Sequence, residues 1–168
     1  MENTEKRDVF DRIMAWGFLK TFEPFYKKNK EILLYLFFGG LTTIVGLITF
    51  IVPSKMLSLD DMVIGGMTID TNTQVANIIS WICAVTFAYI TNRIWVFENK
   101  AHTANGIARE CLSFYSGRLL TLLIENLLLN LCVEAMNMNS IVAKVLVSIV
   151  TIILNYIISK LFVFKKQK

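Results

Sequence analysis

Arg118 stands inside the apolar run from Cys111 to Val133. An ionised side chain at a membrane-helix centre costs about 2.5–3.5 kcal/mol on insertion scales, so this one needs a partner or a function. It lies seven residues into its run, about 10 Å from the start at helical rise. Asn92 and Asn155 stand five and nine residues from the ends of two other apolar runs, about 8 and 13 Å deep. These similar depths predict one polar station. A guanidinium fork with amide donors suits a phosphate oxyanion; the competing reading is that the asparagines cross-link helices while Arg118 reaches lipid headgroups. Lys144, near the opposite end of its run, is a second candidate anion site within about 5 Å of the other boundary. Glu125 follows Arg118 by seven residues and falls near the same helix face; its expected job is charge compensation toward Lys144 or Arg118, with proton coupling as the alternative. His102 has no neighbours suggesting catalysis, and Cys83, Cys111 and Cys132 form no spaced set. No nucleophile–base pair, phosphate-cradling glycine motif or metal-ligand spacing is present, so neither cofactor nor metal is implied.

The elements that must position these residues are four apolar runs, at about 32–52, 75–97, 111–133 and 141–164. Each has the length of a transmembrane helix. Of the 168 residues, 55% are hydrophobic and only 18% charged, with mean hydropathy +0.55. Four such runs leave too little polar surface to cover them in water, which excludes an ordinary soluble enzyme. The first run is expected to be a transmembrane helix and not a leader, because 31 mostly polar residues precede it. The expected fold is an all-α integral membrane protein with four transmembrane helices. The expected organisation is a cytoplasmic segment 1–31, a membrane domain 32–164 and a basic tail 165–168.

Cations set the expected orientation. Lys6, Arg7, Arg12, Lys20, Lys27, Lys28 and Lys30 precede the first run, Lys100 and Arg109 lie between the second and third, and Lys165, Lys166 and Lys168 follow the fourth. The other two connections carry Lys55 alone, beside Asp60, Asp61, Asp70 and Glu134. Positive residues are retained inside, so both termini are expected in the cytoplasm. The net charge of +4 on so apolar a chain then marks a membrane surface rather than nucleic acid. Within 1–31, apolar residues from Val9 to Phe22 alternate with charges; an amphipathic helix on the inner leaflet, a partner-docking helix and an unstructured tail are the competing readings.

The ends of the second and fourth runs repeat. Tyr89-Ile-Thr-Asn-Arg-Ile-Trp-Val-Phe97 matches Tyr156-Ile-Ile-Ser-Lys-Leu-Phe-Val-Phe164 in order as well as composition. Arg93 and Lys160 fall where long cationic side chains snorkel to headgroups. The match predicts two related helical hairpins, 31–97 and 110–164, as parallel repeats about an axis along the membrane normal.

With these motifs in order, the sequence resembles the GtrA-like family of small four-helix membrane proteins over about 31–165. The resemblance rests on Tyr35-Leu-Phe-Phe-Gly-Gly-Leu-Thr-Thr, Phe87-Ala-Tyr-Ile-Thr-Asn-Arg-Ile-Trp-Val-Phe97, Phe114-Tyr-Ser-Gly-Arg118, Leu154-Asn155 and Phe162-Val-Phe-Lys165. It implies a role in bacterial cell-surface polysaccharide or teichoic-acid glycosylation, as a flippase moving a polyprenyl-phosphate-linked sugar across the cytoplasmic membrane. The residues matching the family's pattern are Ala88, Asn92, Val96, Phe97, Phe114, Arg118, Lys144 and Asn155. Asn92, Arg118, Lys144 and Asn155 are the expected substrate contacts; Ala88, Val96, Phe97, Phe114 and Glu125 support and pack. Expected partners are the lipid-linked sugar, membrane lipids and a polyprenyl glycosyltransferase, with a homo-oligomer left open and no nucleic acid. The alternative is a membrane subunit that recruits or anchors such a glycosyltransferase. Small multidrug exporters, also four helices, carry an acidic residue in the first span, and this chain has none there.

Overall fold

The computed structural model describes residues 10–11, 22–64, 67–97 and 101–164. Most of the N-terminal segment and the tail 165–168 lie outside them. Four helices long and apolar enough to cross a membrane dominate the chain. Their exposed faces are rows of large apolar side chains, such as Leu119, Leu120, Leu123 and Leu127 on one helix and Val142, Val145, Leu146 and Ile149 on another. Such continuous apolar surface is tolerable only against lipid.

Helix α1 runs from Glu23 to Met56, with Pro24 in its first turn and a break in helical geometry at Asn29 (φ −117°, ψ 17°). The Asn29 amide donates to the Phe25 carbonyl at 3.0 Å, the kind of local side-chain bond that competes with the helical ladder. At 34 residues α1 is about 50 Å long, well beyond the apolar core of a bilayer. The run expected at 32–52 is the central part of this longer helix. Pro53 does not stop it; the helix continues one turn, and Leu57 N–H bonds the Pro53 carbonyl at 2.9 Å. A small antiparallel hairpin follows, β1 (Met62–Ile64) and β2 (Met67–Ile69), with Val63 opposite Thr68. Helix α2 spans Thr71–Thr91 and is capped by Asp70, whose side chain accepts from Thr73 N–H at 3.1 Å. Helix α3 spans Ala104–Asn130, and α4 spans Ser140–Ile158. The turn between them uses Asn137 at φ 50°, a left-handed conformation that asparagine tolerates.

Helices α2 and α4 both finish in a wider π-helical turn, Asn92–Val96 and Ser159–Val163. These turns occupy the same place in the two copies of the repeated motif. The aromatic contacts are paired in the same way. Phe97 stacks on its counterpart Phe164 with centroids 4.7 Å apart. Tyr35 meets Tyr156 at 5.3 Å while Phe114 meets Tyr89 at 5.5 Å. Tyr35 meets Phe97 at 6.4 Å while Phe114 meets Phe164 at 6.1 Å. Reciprocal contacts of this kind are what a two-fold relation produces. The two hairpins are therefore related by a pseudo-two-fold axis through the Phe97–Phe164 stack, and the starts of α1 and α3 meet the ends of α2 and α4 at one end of the bundle.

That end is closed by two matched polar clasps. Glu110 on α3, almost fully buried, accepts from Arg93 Nε at 2.8 Å, the Tyr89 hydroxyl at 3.1 Å and Ala101 N–H at 2.8 Å. Glu31 on α1 accepts from the Tyr156 hydroxyl at 2.9 Å and from Lys160 Nζ at 3.0–3.1 Å. Arg93 and Lys160, expected to snorkel to headgroups, are instead the cations of these clasps. Each hairpin's last helix thus holds the other hairpin's first. At the N-terminal side, Phe10 packs edge-on against Phe37 and Phe38 of α1, and Asp11 pairs with Lys30 at 2.8 Å.

Candidate functional site

Between the hairpins lies a partly open cavity of about 170 Å³. Its walls again pair by repeat: Thr42 of α1 stands where Thr121 stands on α3, Ala84 where Thr151 stands, and Ala88 where Asn155 stands. The two halves differ in polarity, however. Arg118 occupies the position that is Gly39 in the first copy, so the cation, the amide and an extra hydroxyl all come from the second hairpin. Arg118, Thr121 and Glu125 follow at spacings of three and seven residues, which places them on one face of α3; Thr151 and Asn155, four apart, do the same on α4.

Packing on the α3–α4 side begins with a glycine. A Cβ at Gly117 would lie 2.8 Å from Ile158 Cγ2, so α3 approaches α4 closely just before Arg118. The Arg118 guanidinium is half-buried, sits 5.1 Å from the Phe114 ring centroid and places Nη2 3.4 Å from the Tyr35 hydroxyl. A guanidinium over an aromatic face keeps the N–H donors of its planar fork available to other partners. The buried Thr121 hydroxyl donates to Asn155 Oδ1 at 2.8 Å and lies 3.0 Å from the Arg118 carbonyl. Asn155 Oδ1 accepts that bond, and its NH₂ group carries two further donors. Thr151 is 8% exposed, and its hydroxyl has no hydrogen-bond partner. Glu125 also lines the cavity, and its Oε1 pairs with Lys144 Nζ at 2.6 Å.

The expected station is thus assembled in part. Arg118 and Asn155 line the cavity together, as do Glu125 and Ala88. Asn92 is buried at the start of the first π turn and is not among the lining residues. Lys144 is exposed and ion-paired to Glu125, so of the two partners considered for Glu125 the structure selects Lys144. Val96, Phe97 and Phe114 are core residues around the pseudo-axis. Thr121, Thr151 and Trp81 were not legible as site residues. Threonines in membrane helices commonly bond back to their own backbone, as Thr42, Thr49 and Thr86 do here, and only packing distinguishes Thr42, Thr121 and Thr151, which line the cavity, from the others. The usable signal was their helical spacing from Arg118 and Asn155.

Comparison with known proteins matches residues 34–164 to a family described as GtrA/DPMS, transmembrane domain. The chain belongs to this family. The GtrA/DPMS match covers α1 from Leu34 onward, the other three helices whole and every cavity-lining residue. The cell wall teichoic acid glycosylation protein GtcA of Listeria monocytogenes serovar 1/2a is 35% identical over 146 residues, covering 86% of this chain and 92% of that one. GtcA of Listeria innocua serovar 6a is 34% identical over the same shares. The uncharacterized membrane protein YwcD of Bacillus subtilis is 33% identical over 135 residues, 80% of this chain and 97% of its own. No solved structure matches. This GtrA/DPMS-family chain is a multi-pass membrane protein.

Proposed function

We propose that the protein moves a polyprenyl-phosphate-linked sugar from the cytoplasmic to the outer leaflet of the bacterial cytoplasmic membrane, for glycosylation of a cell-wall polymer. The observation that carries this reading is the cavity at the interface of the two hairpins, which gathers the Arg118 cation and the Asn155 amide inside a largely apolar bundle. A long prenyl tail stays in lipid at no cost, whereas the phosphate and the hydroxyl-rich head need a sheltered polar route. Relatives named for teichoic acid glycosylation support the destination of the sugar. The cation distribution supports cytoplasmic termini, which put Arg118 on the cytoplasmic side of the cavity. A polyprenyl glycosyltransferase is the natural source of the substrate. A second reading, a membrane subunit that anchors such a transferase, draws support from the family description, which joins GtrA with DPMS.

The test is Arg118 in cells. Arg118→Ala should abolish sugar decoration of the wall at normal protein abundance, and Arg118→Lys should restore only part, because a point charge does not reproduce the fork. Full decoration by the alanine variant would overturn the reading.

A further inference from the structure

The cavity extends beyond the cation. From Arg118 to Glu125 is about 10 Å along α3 at helical rise, and the polar groups past Arg118 are Thr121, Thr151, Asn155 and Glu125. None of these is cationic, and Glu125 carries a negative charge. Lys144 neutralises Glu125, so no free cation past Arg118 remains to hold a second anion, and the hydroxyl and amide groups there suit a neutral group beside an Arg118-bound phosphate.

It must also hydrogen-bond. The Thr151 hydroxyl is more than nine-tenths buried and unpartnered, and such a group forfeits water's hydrogen bonds without replacement, a cost of about 1–3 kcal/mol unless something fills the role. The Glu125–Lys144 pair engages Oε1, and a carboxylate has further lone pairs to offer hydroxyl donors. Opposite them stands Trp81, fixed edge-on against Tyr115 at 5.9 Å, while the Tyr115 hydroxyl is 2.5 Å from Thr86 Oγ1. A fixed indole, a carboxylate and a bare hydroxyl around 170 Å³ fit a small ligand with both an apolar face and a rim of hydroxyls. That volume holds on the order of ten waters, and its polar lining suits a hydroxyl-bearing group over a prenyl chain.

We propose that this cavity takes the neutral sugar ring of the lipid-linked substrate, with Thr151 and Glu125 reading its hydroxyls and Trp81 covering its C–H face. The assignment rests on the function proposed above and makes Thr151 a specificity-determining residue of that transport. The ring enters ahead of the phosphate, deeper into the bundle than Arg118.

The experiment uses the full-length protein in lipid nanodiscs and four probes: undecaprenyl phosphate, and the same lipid carrying glucose, galactose or N-acetylglucosamine. At least one sugar-bearing probe should bind about tenfold more tightly than the bare lipid phosphate. Thr151→Val should weaken that probe about fivefold, one neutral hydrogen bond, leaving undecaprenyl phosphate binding unchanged, and Glu125→Gln should weaken it about tenfold without weakening undecaprenyl phosphate. Arg118→Ala should weaken all four. Thr151→Val should unfold at the same temperature as the parent or higher, since it removes an unsatisfied hydroxyl; a lower midpoint would assign the hydroxyl a structural role and overturn the proposal. Equal binding of bare and glycosylated lipids, or no effect of Thr151→Val on any probe, would overturn the sugar site while leaving the Arg118 phosphate site standing. A parent protein that binds none of the four overturns the transport reading and the sugar site with it.

Discussion

Replacing the cation of each clasp should expose how unequal the two hairpin contacts are. The Glu110 side chain is 4% exposed and Arg93 22%. Arg93→Met leaves a buried carboxylate with only Tyr89 and the Ala101 N–H as donors. Breaking a buried pair from one side costs about 3–5 kcal/mol. The counterpart pair is far more open, with Lys160 47% and Glu31 34% exposed, and exposed pairs are worth about 0–1 kcal/mol. Lys160→Met should therefore cost at least about 2 kcal/mol less than Arg93→Met. Unfolding of purified protein by increasing SDS in mixed micelles measures both. The double variant Arg93→Met with Glu110→Gln should recover most of the loss, because a neutral amide accepts the Ala101 N–H through its oxygen and donates its NH₂ to the Tyr89 hydroxyl, leaving no uncompensated charge. Equal costs for the two methionine variants, or a double variant no more stable than Arg93→Met, would refute the argument that burial separates the clasps.

Gly117→Ala should destabilise by about 1–3 kcal/mol through overpacking against Ile158, whereas Gly39→Ala and Gly40→Ala, with open space at the added Cβ, should each stabilise by up to about 1 kcal/mol from helix propensity; SDS unfolding measures all three. Asp70 is held below the usual carboxylate pKa, first by the Thr73 hydroxyl and then by the Thr73 backbone N–H. Its contribution to stability is therefore complete above the ordinary carboxylate pKa and is lost as pH falls through the lowered value. Asp70→Asn should flatten the parent's loss of stability in that acid window, read from unfolding midpoints across pH. In a background with Cys83, Cys111 and Cys132 replaced, an impermeant thiol reagent added outside cells should label Asp60→Cys and Met136→Cys but not Ala104→Cys; the reverse pattern would invert the proposed orientation.

The four spans were legible because lipid selects against charge over some twenty residues, a signal that survives without knowledge of packing. The repeat was legible in Tyr89–Phe97 and Tyr156–Phe164, and the structure gives it a physical meaning as the pseudo-axis. The clasps were not. Glu31 and Glu110 sit at the charged edges of their runs, where nothing in composition distinguishes a buried acceptor from a solvated one; Arg93 and Lys160 accordingly read as snorkelling anchors. Depth estimates bring Arg118, Asn155 and Asn92 to one level; the first two line the cavity and Asn92 does not, since depth along a helix says nothing about which side a residue faces. Asn92 lies in a π turn, where the helical rotation that would predict its facing changes. Thr151 was hidden by its ordinariness, in a chain where several other threonines satisfy themselves on their own helix.

The central claim is transport of the lipid-linked sugar by this chain, and its most direct test is reconstitution alone into sealed vesicles loaded with a polyprenyl-phosphate-linked hexose in the inner leaflet. Accessibility of the sugar to an impermeant oxidant measures its arrival outside. Transport by the parent chain should exceed that of protein-free vesicles and fall to their level with Arg118→Ala. Parent and protein-free vesicles exposing sugar at the same rate, with the protein shown to be folded and inserted, would contradict the account and favour the anchoring subunit.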